Sequence, residues 1–344
     1  LKVTEFTEFV MHLNAAALEL ARPLVENPAA YAAGIEVRGG VRVADCGVAR
    51  RGGTDAGILM ARVAMAGLGQ VRVVSPAAAS TDLSGRWSDC PWPMVVVASD
   101  HPVTACLAAQ YAGWKVKGER FFAMASGPLR AAIAREPIFE TIGHVERPDS
   151  AVGLLEAATL PPPDVCRQLA SDAGVAPERL LLLVARTAST AGTLQVVARS
   201  LETALHKLHD LGFDLERILR GRGEAPLPPV PGEGLAGSAD DLVAIGRTND
   251  AILYGGSVVL EVRGDDASLQ ELGPRMVSSG SPSHGRGFLE LFEGAGRDFY
   301  ALDPALFAPA TIELVNLDTG RTHRFGRLDP DLVRRSFTSP ASGN

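Results

Sequence analysis

Four polar side chains, Gln195, Arg199, Glu202 and His206, recur at spacings of four, three and four residues in the segment ARTASTAGTLQVVARSLETALHKLHDLGF, residues 185–213. At ~100° per residue they fall in a stripe about 60° wide on a helix. Leu194, Val197, Leu201, Ala204, Leu205 and Leu208 take the other side. One face is therefore core, and the opposite face gathers an acid, a cation, an amide and an imidazole. A carboxylate held beside a cation is the pairing from which general-base chemistry is built, because the cation keeps the acid ionised. The competing reading is a solvated face with an Arg–Glu ion pair, worth about 0.3 kcal/mol. The sparseness of Lys and Glu on that face favours function.

Three loops adjoin or accompany this stripe. Thr187, Ser189, Thr190 and Thr193 lie between an apolar run and the helix, where free backbone N–H groups favour an anion. The GxxxxGK[ST] pattern of an NTPase loop is missing, and simple helix capping is the alternative. FFAMASGPLRAA, residues 121–132, sets Ser126, Gly127 and Pro128 at a strand-to-helix junction with Arg130 in the first turn, a place where glycine permits close backbone approach. IGRTNDAILYGG, residues 245–256, places Arg247, Thr248, Asn249 and Asp250 ahead of an expected hairpin turning at Gly255-Gly256. For the last two loops, turn chemistry is the competing account. Asp265-Asp266 reads as a solvated turn, and His101, His144, His284 and His323 stand alone.

The elements that must position these residues follow from pattern and composition. A chain of 344 residues that is 46% hydrophobic and 21% charged is globular and long enough for two domains. No apolar run approaches the ~20 residues of a membrane helix, and the acidic start lacks the basic and apolar segments of a secretory leader. A balance of 33 basic against 40 acidic residues, net −7, argues against nucleic acid. Four scattered cysteines offer no zinc spacing and suit a reducing compartment. Strands are expected at 41–46, 71–74, 94–99 and 180–185, and helices at 55–65, 102–112 and 164–173. A Pro/Gly-rich loop is expected at 221–238, and a second hairpin at 312–325 around Asp318-Thr319-Gly320. Hairpins mixed with helices indicate α+β rather than a doubly wound parallel sheet. The expected division is an α/β domain at 1–150 carrying the Ser-Gly-Pro loop and an α+β domain at 151–344 carrying the Arg199/Glu202 helix and the hairpins.

Taken with SDHPVTACLAAQYAGW and DFYALDPALFAPATIELVNLDTG, these segments resemble, in order from about residue 40 to 337, the methenyltetrahydromethanopterin cyclohydrolases of methylotrophic bacteria. The resemblance implies two domains side by side with an active-site cleft between them, a homotrimer, and a cytoplasmic setting. It implies hydrolysis of 5,10-methenyltetrahydromethanopterin to the 5-formyl form in formaldehyde oxidation, with no metal and no bound cofactor, the pterin being the carrier substrate. The small-molecule pterin is then the partner, with no nucleic acid and no membrane. The family's R-x-x-E arrangement is met by Arg199 and Glu202, implying Glu202 as general base and Arg199 as the cation that holds it. Ser126, Gly127, Arg130, Ser189, Thr190, Gln195, His206, Arg247 and Asn249 are the substrate-binding candidates. Ala125 departs from the family, which usually has glycine there. Two other readings stay open at this stage: the same hydrolysis on a folate carrier, and a pterin-binding protein without catalysis.

Overall fold

The computed structural model describes residues 12–75, 87, 89–231 and 240–339. The chain begins with helix α1 (Leu13–Glu26), strands β1 (Gly34–Arg38) and β2 (Val41–Gly47), helix α2 (Thr54–Ala64), and strands β3 (Gly69–Val74) and β4 (Met94–Ser99). A π-helix over Thr104–Gln110 leads to β5 (Trp114–Gly118) and β6 (Phe121–Ser126). Short helices α3 (Leu129–Ile133) and α4 (Ile138–Ile142), strand β7 (Ala151–Glu156), helix α5 (Pro163–Asp172) and strand β8 (Leu180–Ala185) follow. Then come α6 (Thr190–Val197), α7 (Ser200–Asp210), β9 (Ile218–Pro226), α8 (Asp241–Leu253), β10 (Ser257–Val262), α9 (Asp266–Leu272) and α10 (Phe288–Gly294). The chain closes with β11 (Thr311–Asn316), β12 (Thr322–Gly326) and α11 (Pro330–Thr338).

The strands form two six-stranded mixed sheets, ordered β1-β2-β8-β7-β6-β5 and β12-β11-β10-β9-β4-β3, so the fold is α+β with two sheet-based halves. Each sheet takes strands from both sides of residue 150. Strand β8 is buried along its whole length because both faces are covered. Leu181, Leu183 and Ala185 join the main core with α2, α6 and α7, while Leu180, Leu182 and Val184 pack with Val165, Cys166 and Leu169 of α5. Val258, Leu260 and Val262 of β10 and Ile312 and Leu314 of β11 close the same main core from the second sheet. A layer of helices thus lies between the sheets. No helix among the described residues is long and apolar enough to cross a membrane.

Three local expectations are corrected. Residues 245–256 are not the approach to a hairpin but the greater part of α8, capped by the Asp240 carboxylate, which accepts from Leu242 and Val243 N–H. Neither Gly255 nor Gly256 has a positive φ. A Cβ on Gly256 would come within 2.4 Å of the Ile252 carbonyl, so this glycine lets the chain leave the helix close to its last turn. Residues 221–226 are not loop but the end of β9. Gly221 and Gly223 are there because α7 lies directly on the strand: a Cβ on Gly223 would sit 2.6 Å from Ser200 Oγ. Positions 232–239 of that expected loop lie outside the described residues. The helix expected to run unbroken from the hydroxyl loop is two helices, interrupted at Ala198-Arg199. The hairpin around Asp318-Thr319-Gly320 is present as β11 and β12.

Candidate active site

The interruption at Arg199 organises the site. Arg199 has φ −89° and ψ 7°, its N–H bonds to Val196 O three residues back, and its carbonyl begins the next helix through Thr203 N–H. Its guanidinium is buried and donates to Gln110 O at 2.7 Å, Ser126 Oγ at 3.0 Å and Gln195 Oε1 at 3.4 Å. Gln110 ends the π-helix, a rare geometry that is frequent at functional sites. The Gln110 side chain returns a bond to Ala198 O at 3.0 Å, so the two irregular turns brace one another.

One turn on, Glu202 is 6% exposed and its carboxylate accepts no hydrogen bond from a described residue. It faces a cavity of about 670 Å³. Burial pushes its carboxyl up to about 7, against the pull of Arg199 and then Arg130. Burial likewise lowers Arg199 from its ordinary value, opposed by Glu202 and Glu156, but a guanidinium does not lose its proton in a protein. The result is a fixed cation beside a carboxyl that titrates near neutrality, which is what a general base requires.

The rest of the cavity wall comes from elements tied to both sheets: Met124 within β6 and Glu156 at the end of β7, Ile245, Thr248 and Asn249 of α8, and Phe299, Tyr300 and Phe307 from the segment before β11. Glu156 is held by the Thr187 hydroxyl at 2.5 Å and by Gln195 Nε2 at 3.4 Å. A chain of contacts therefore runs from Thr187 through Glu156 and Gln195 to Arg199. At the mouth, Tyr300 is 60% exposed and lies under Lys115 Nζ, 3.6 Å from the ring centre. Among the described residues, no group of three or more His, Cys, Asp or Glu side chains is placed to hold a metal ion.

The candidate residues divide by position. Arg199, Glu202, His206 and Asn249 line the cavity, and Gln195 and Ser126 stand behind Arg199. The others are not part of the cavity lining. Ser189 is the N-cap of α6 and accepts from Gly192 N–H at 3.0 Å, with Thr190 opening that helix. Gly127 adopts φ 89° and bonds to Ala109 O. Arg130 is 1% exposed, bonded to Glu136 through both Nε and Nη2 and to the Leu107 carbonyl. Arg247 clamps the carbonyls of Pro229, Ser336 and Ser339. Glu156 and Tyr111 were missed. Glu156 ends an otherwise apolar strand, AVGLLE, and a charge at that place was the available signal.

Residues 12–337 match the Cyclohydrolase (MCH) family. The chain is 45% identical over 302 residues to a protein of Rhodopirellula baltica, covering 87% of this chain and 86% of the relative. It is 40% identical over 319 residues to one of Methylobacillus flagellatus, covering 92% and 93%. It is 37% identical over 325 residues to one of Methanospirillum hungatei, covering 93% and 98%. Each of the three relatives is named methenyltetrahydromethanopterin cyclohydrolase.

Proposed function

This chain belongs to the MCH cyclohydrolase family, and on that premise we propose that Glu202 is the general base with which it hydrolyses 5,10-methenyltetrahydromethanopterin to the 5-formyl form. The observation that carries the assignment is the buried carboxylate of Glu202, without a hydrogen-bond partner among the described residues, facing the cavity one turn from an immobilised guanidinium. The methenyl carbon bridges two nitrogens and bears their shared positive charge. As water attacks it, Glu202 takes a water proton and a neutral hydroxyl adduct forms. The adduct then breaks its bond to the arylamine nitrogen: that nitrogen gains a proton, the hydroxyl loses one, and the formyl group remains on the other nitrogen. One proton per turnover is left over. The nearby charge of Arg199 resists neutralisation of Glu202.

Because the substrate brings its own electrophile, the reading needs no metal and no bound cofactor. His206 and Asn249 face the substrate, and Gln195 and Ser126 hold Arg199 for it. The cavity's apolar and aromatic side chains, Met124, Phe299, Tyr300 and Phe307 among them, suit a flat pterin with an arylamine. Four free cysteines, all buried, agree with a cytoplasmic setting in one-carbon metabolism, and the family resemblance supports a homotrimer. The test is loss of methenyltetrahydromethanopterin absorbance with and without EDTA, beside methenyltetrahydrofolate. Fast, chelator-insensitive loss on the methanopterin carrier is expected. Loss stopped by EDTA would overturn the metal-free reading, and equal rates on folate would overturn the assignment of the carrier.

A further inference from the structure

The surplus proton leaves Glu202 inside a cavity, and the helix that carries Glu202 offers a way out. Glu202, His206 and Asp210 stand at successive i, i+4 positions of α7 and all line the cavity. Such neighbours are about 5–6 Å apart between Cβ atoms, within direct reach or one water of each other. Exposure rises along the row: Glu202 is 6% exposed, the His206 side chain 25% and the Asp210 side chain 40%. His206 Nδ1 lies 3.5 Å from Asp210 Oδ2. Nε2 of His206 has no hydrogen-bond partner among the described residues. The ring is fixed by stacking on Tyr111, at 4.3 Å between centroids and 18° between planes.

We propose that His206 is the proton carrier of this enzyme, taking the proton from Glu202 at Nε2 and passing it to solvent beside Asp210. This rests on the reading of Glu202 as base. In the step, the Glu202 carboxyl loses its proton and becomes the carboxylate needed for the next turnover. The imidazole gains that proton and becomes imidazolium, and water or buffer removes it, restoring the neutral ring. The surroundings suit a transient cation. Burial lowers the affinity of His206 for a proton, with Asp210 opposing and His209, Lys207 and Arg130 reinforcing the effect. The ring is therefore neutral and ready to accept, while Asp210 steadies the charged form. Lys207 Nζ is bonded to Pro304 O at 2.8 Å, and the Arg130 guanidinium lies over the Tyr111 ring, 5.0 Å from its centre.

The test uses the full-length protein, the methenyl-absorbance assay in dilute buffer, and three variants. His206→Ala removes the carrier and leaves room for a free imidazole. His206→Phe keeps a ring for Tyr111 but cannot carry a proton. Asp210→Asn changes only the exposed end of the row. Both His206 variants are expected to lose kcat about tenfold or more, a loss larger than any change in KM. Added imidazole restores His206→Ala in proportion to its concentration but leaves His206→Phe and the parent unchanged. Asp210→Asn shows a smaller loss that concentrated small buffer relieves. Wild-type kcat in His206→Phe would overturn the proposal, and so would a loss in His206→Ala that no buffer relieves. Failure of the underlying reading looks different, because Glu202→Gln would then retain its rate whatever the His206 variants do.

Discussion

Glu202→Gln separates activity from stability in a way that only a buried, titrating base produces. The substitution keeps volume and polarity and removes the proton acceptor, so kcat should fall by roughly 10²–10⁴ with the fold intact. The second effect follows from linkage. The Glu202 carboxyl is raised from 4.5 to about 7 by burial. A carboxyl raised in the folded state costs stability as pH climbs from its unfolded value to its folded one, because the unfolded chain releases a proton that the folded chain retains. Below pH 4.5 the cost is nil, and above about 7 it is constant. For this shift the cost is under about 1 kcal/mol at pH 5 and about 3 kcal/mol at pH 8. Glutamine has no such dependence. Whatever fixed offset the amide introduces, the difference in unfolding free energy should move in the variant's favour by roughly 2–3 kcal/mol between pH 5 and pH 8. Urea melts of both proteins at the two pH values measure it, and taking the difference cancels every other titrating group. Parallel stability curves would refute the reasoning, since Glu202 would then be ionised at the same pH in both states. A large loss of kcat with parallel curves would retain the residue in the reaction but remove the account of its environment.

Arg199→Gln removes the cation that opposes burial, so the acidic limb of kcat/KM should move up by roughly one pH unit, with KM raised as well. An unmoved limb would show that Arg199 does not set the ionisation of Glu202. Arg247→Ala breaks the bonds to Pro229, Ser336 and Ser339 and should cost about 3 kcal/mol in urea unfolding while leaving KM unchanged. A raised KM without that loss would return Arg247 to the ligand. Asp250, raised to about 7 by burial despite donors from Ser336 and Phe288, adds the same sign of dependence as Glu202. Stability is lost as pH rises from about 4 towards 7, and Asp250→Asn should flatten that part of the wild-type curve without altering KM.

The strands at 41–46, 71–74, 94–99 and 180–185 and the polar stripe on one helix face were legible because their signals are local. The run LLLLVA at 180–185 has the length and composition of a strand covered on both faces, and the stripe from Gln195 to His206 keeps one face although the helix breaks within it. The break itself was not legible. The two valines and the serine of VVARSLE weaken a helix only slightly and do not mark a break; at the break Gln110, reached from a distant π-helix, bonds both the carbonyl at 198 and the side chain at 199. Helix α8 was hidden for a related reason. Thr248 and Asn249 bond back to Ala244 O and Ile245 O, and Asp250 is held by Phe288 and Ser336, so a string that looks like turn chemistry is satisfied inside a helix by the tertiary fold. Arg130 and Arg247 drew notice as cations near loops, yet their carbonyl partners lie at 107, 229, 336 and 339. No spacing in the sequence announces such partners.

A carboxyl pushed up to about 7 by burial is a base that holds its proton more readily than an ordinary glutamate, but the substrate alters it. The methenyl carbon arrives with a unit positive charge into a cavity lined by Glu156, Glu202, Asp210 and Asp241 against few cations. At about 5 Å and an effective dielectric of about 20, that charge favours the ionised carboxylate by about 3 kcal/mol, or roughly two pK units. Binding should therefore complete the ionisation of Glu202, and the charge that makes the carbon electrophilic also switches on the base that delivers water to it. Hydrolysis removes the charge, so the carboxyl returns towards its raised value and holds the proton it has taken until that proton is carried away. In kinetics, the acidic limb of kcat, which reports the complex, should lie one to two pH units below that of kcat/KM, which reports the free enzyme. Coincident limbs would mean that the substrate's charge never reaches Glu202, and the carboxylate would have to be sought elsewhere along the cavity wall, at Glu156 first.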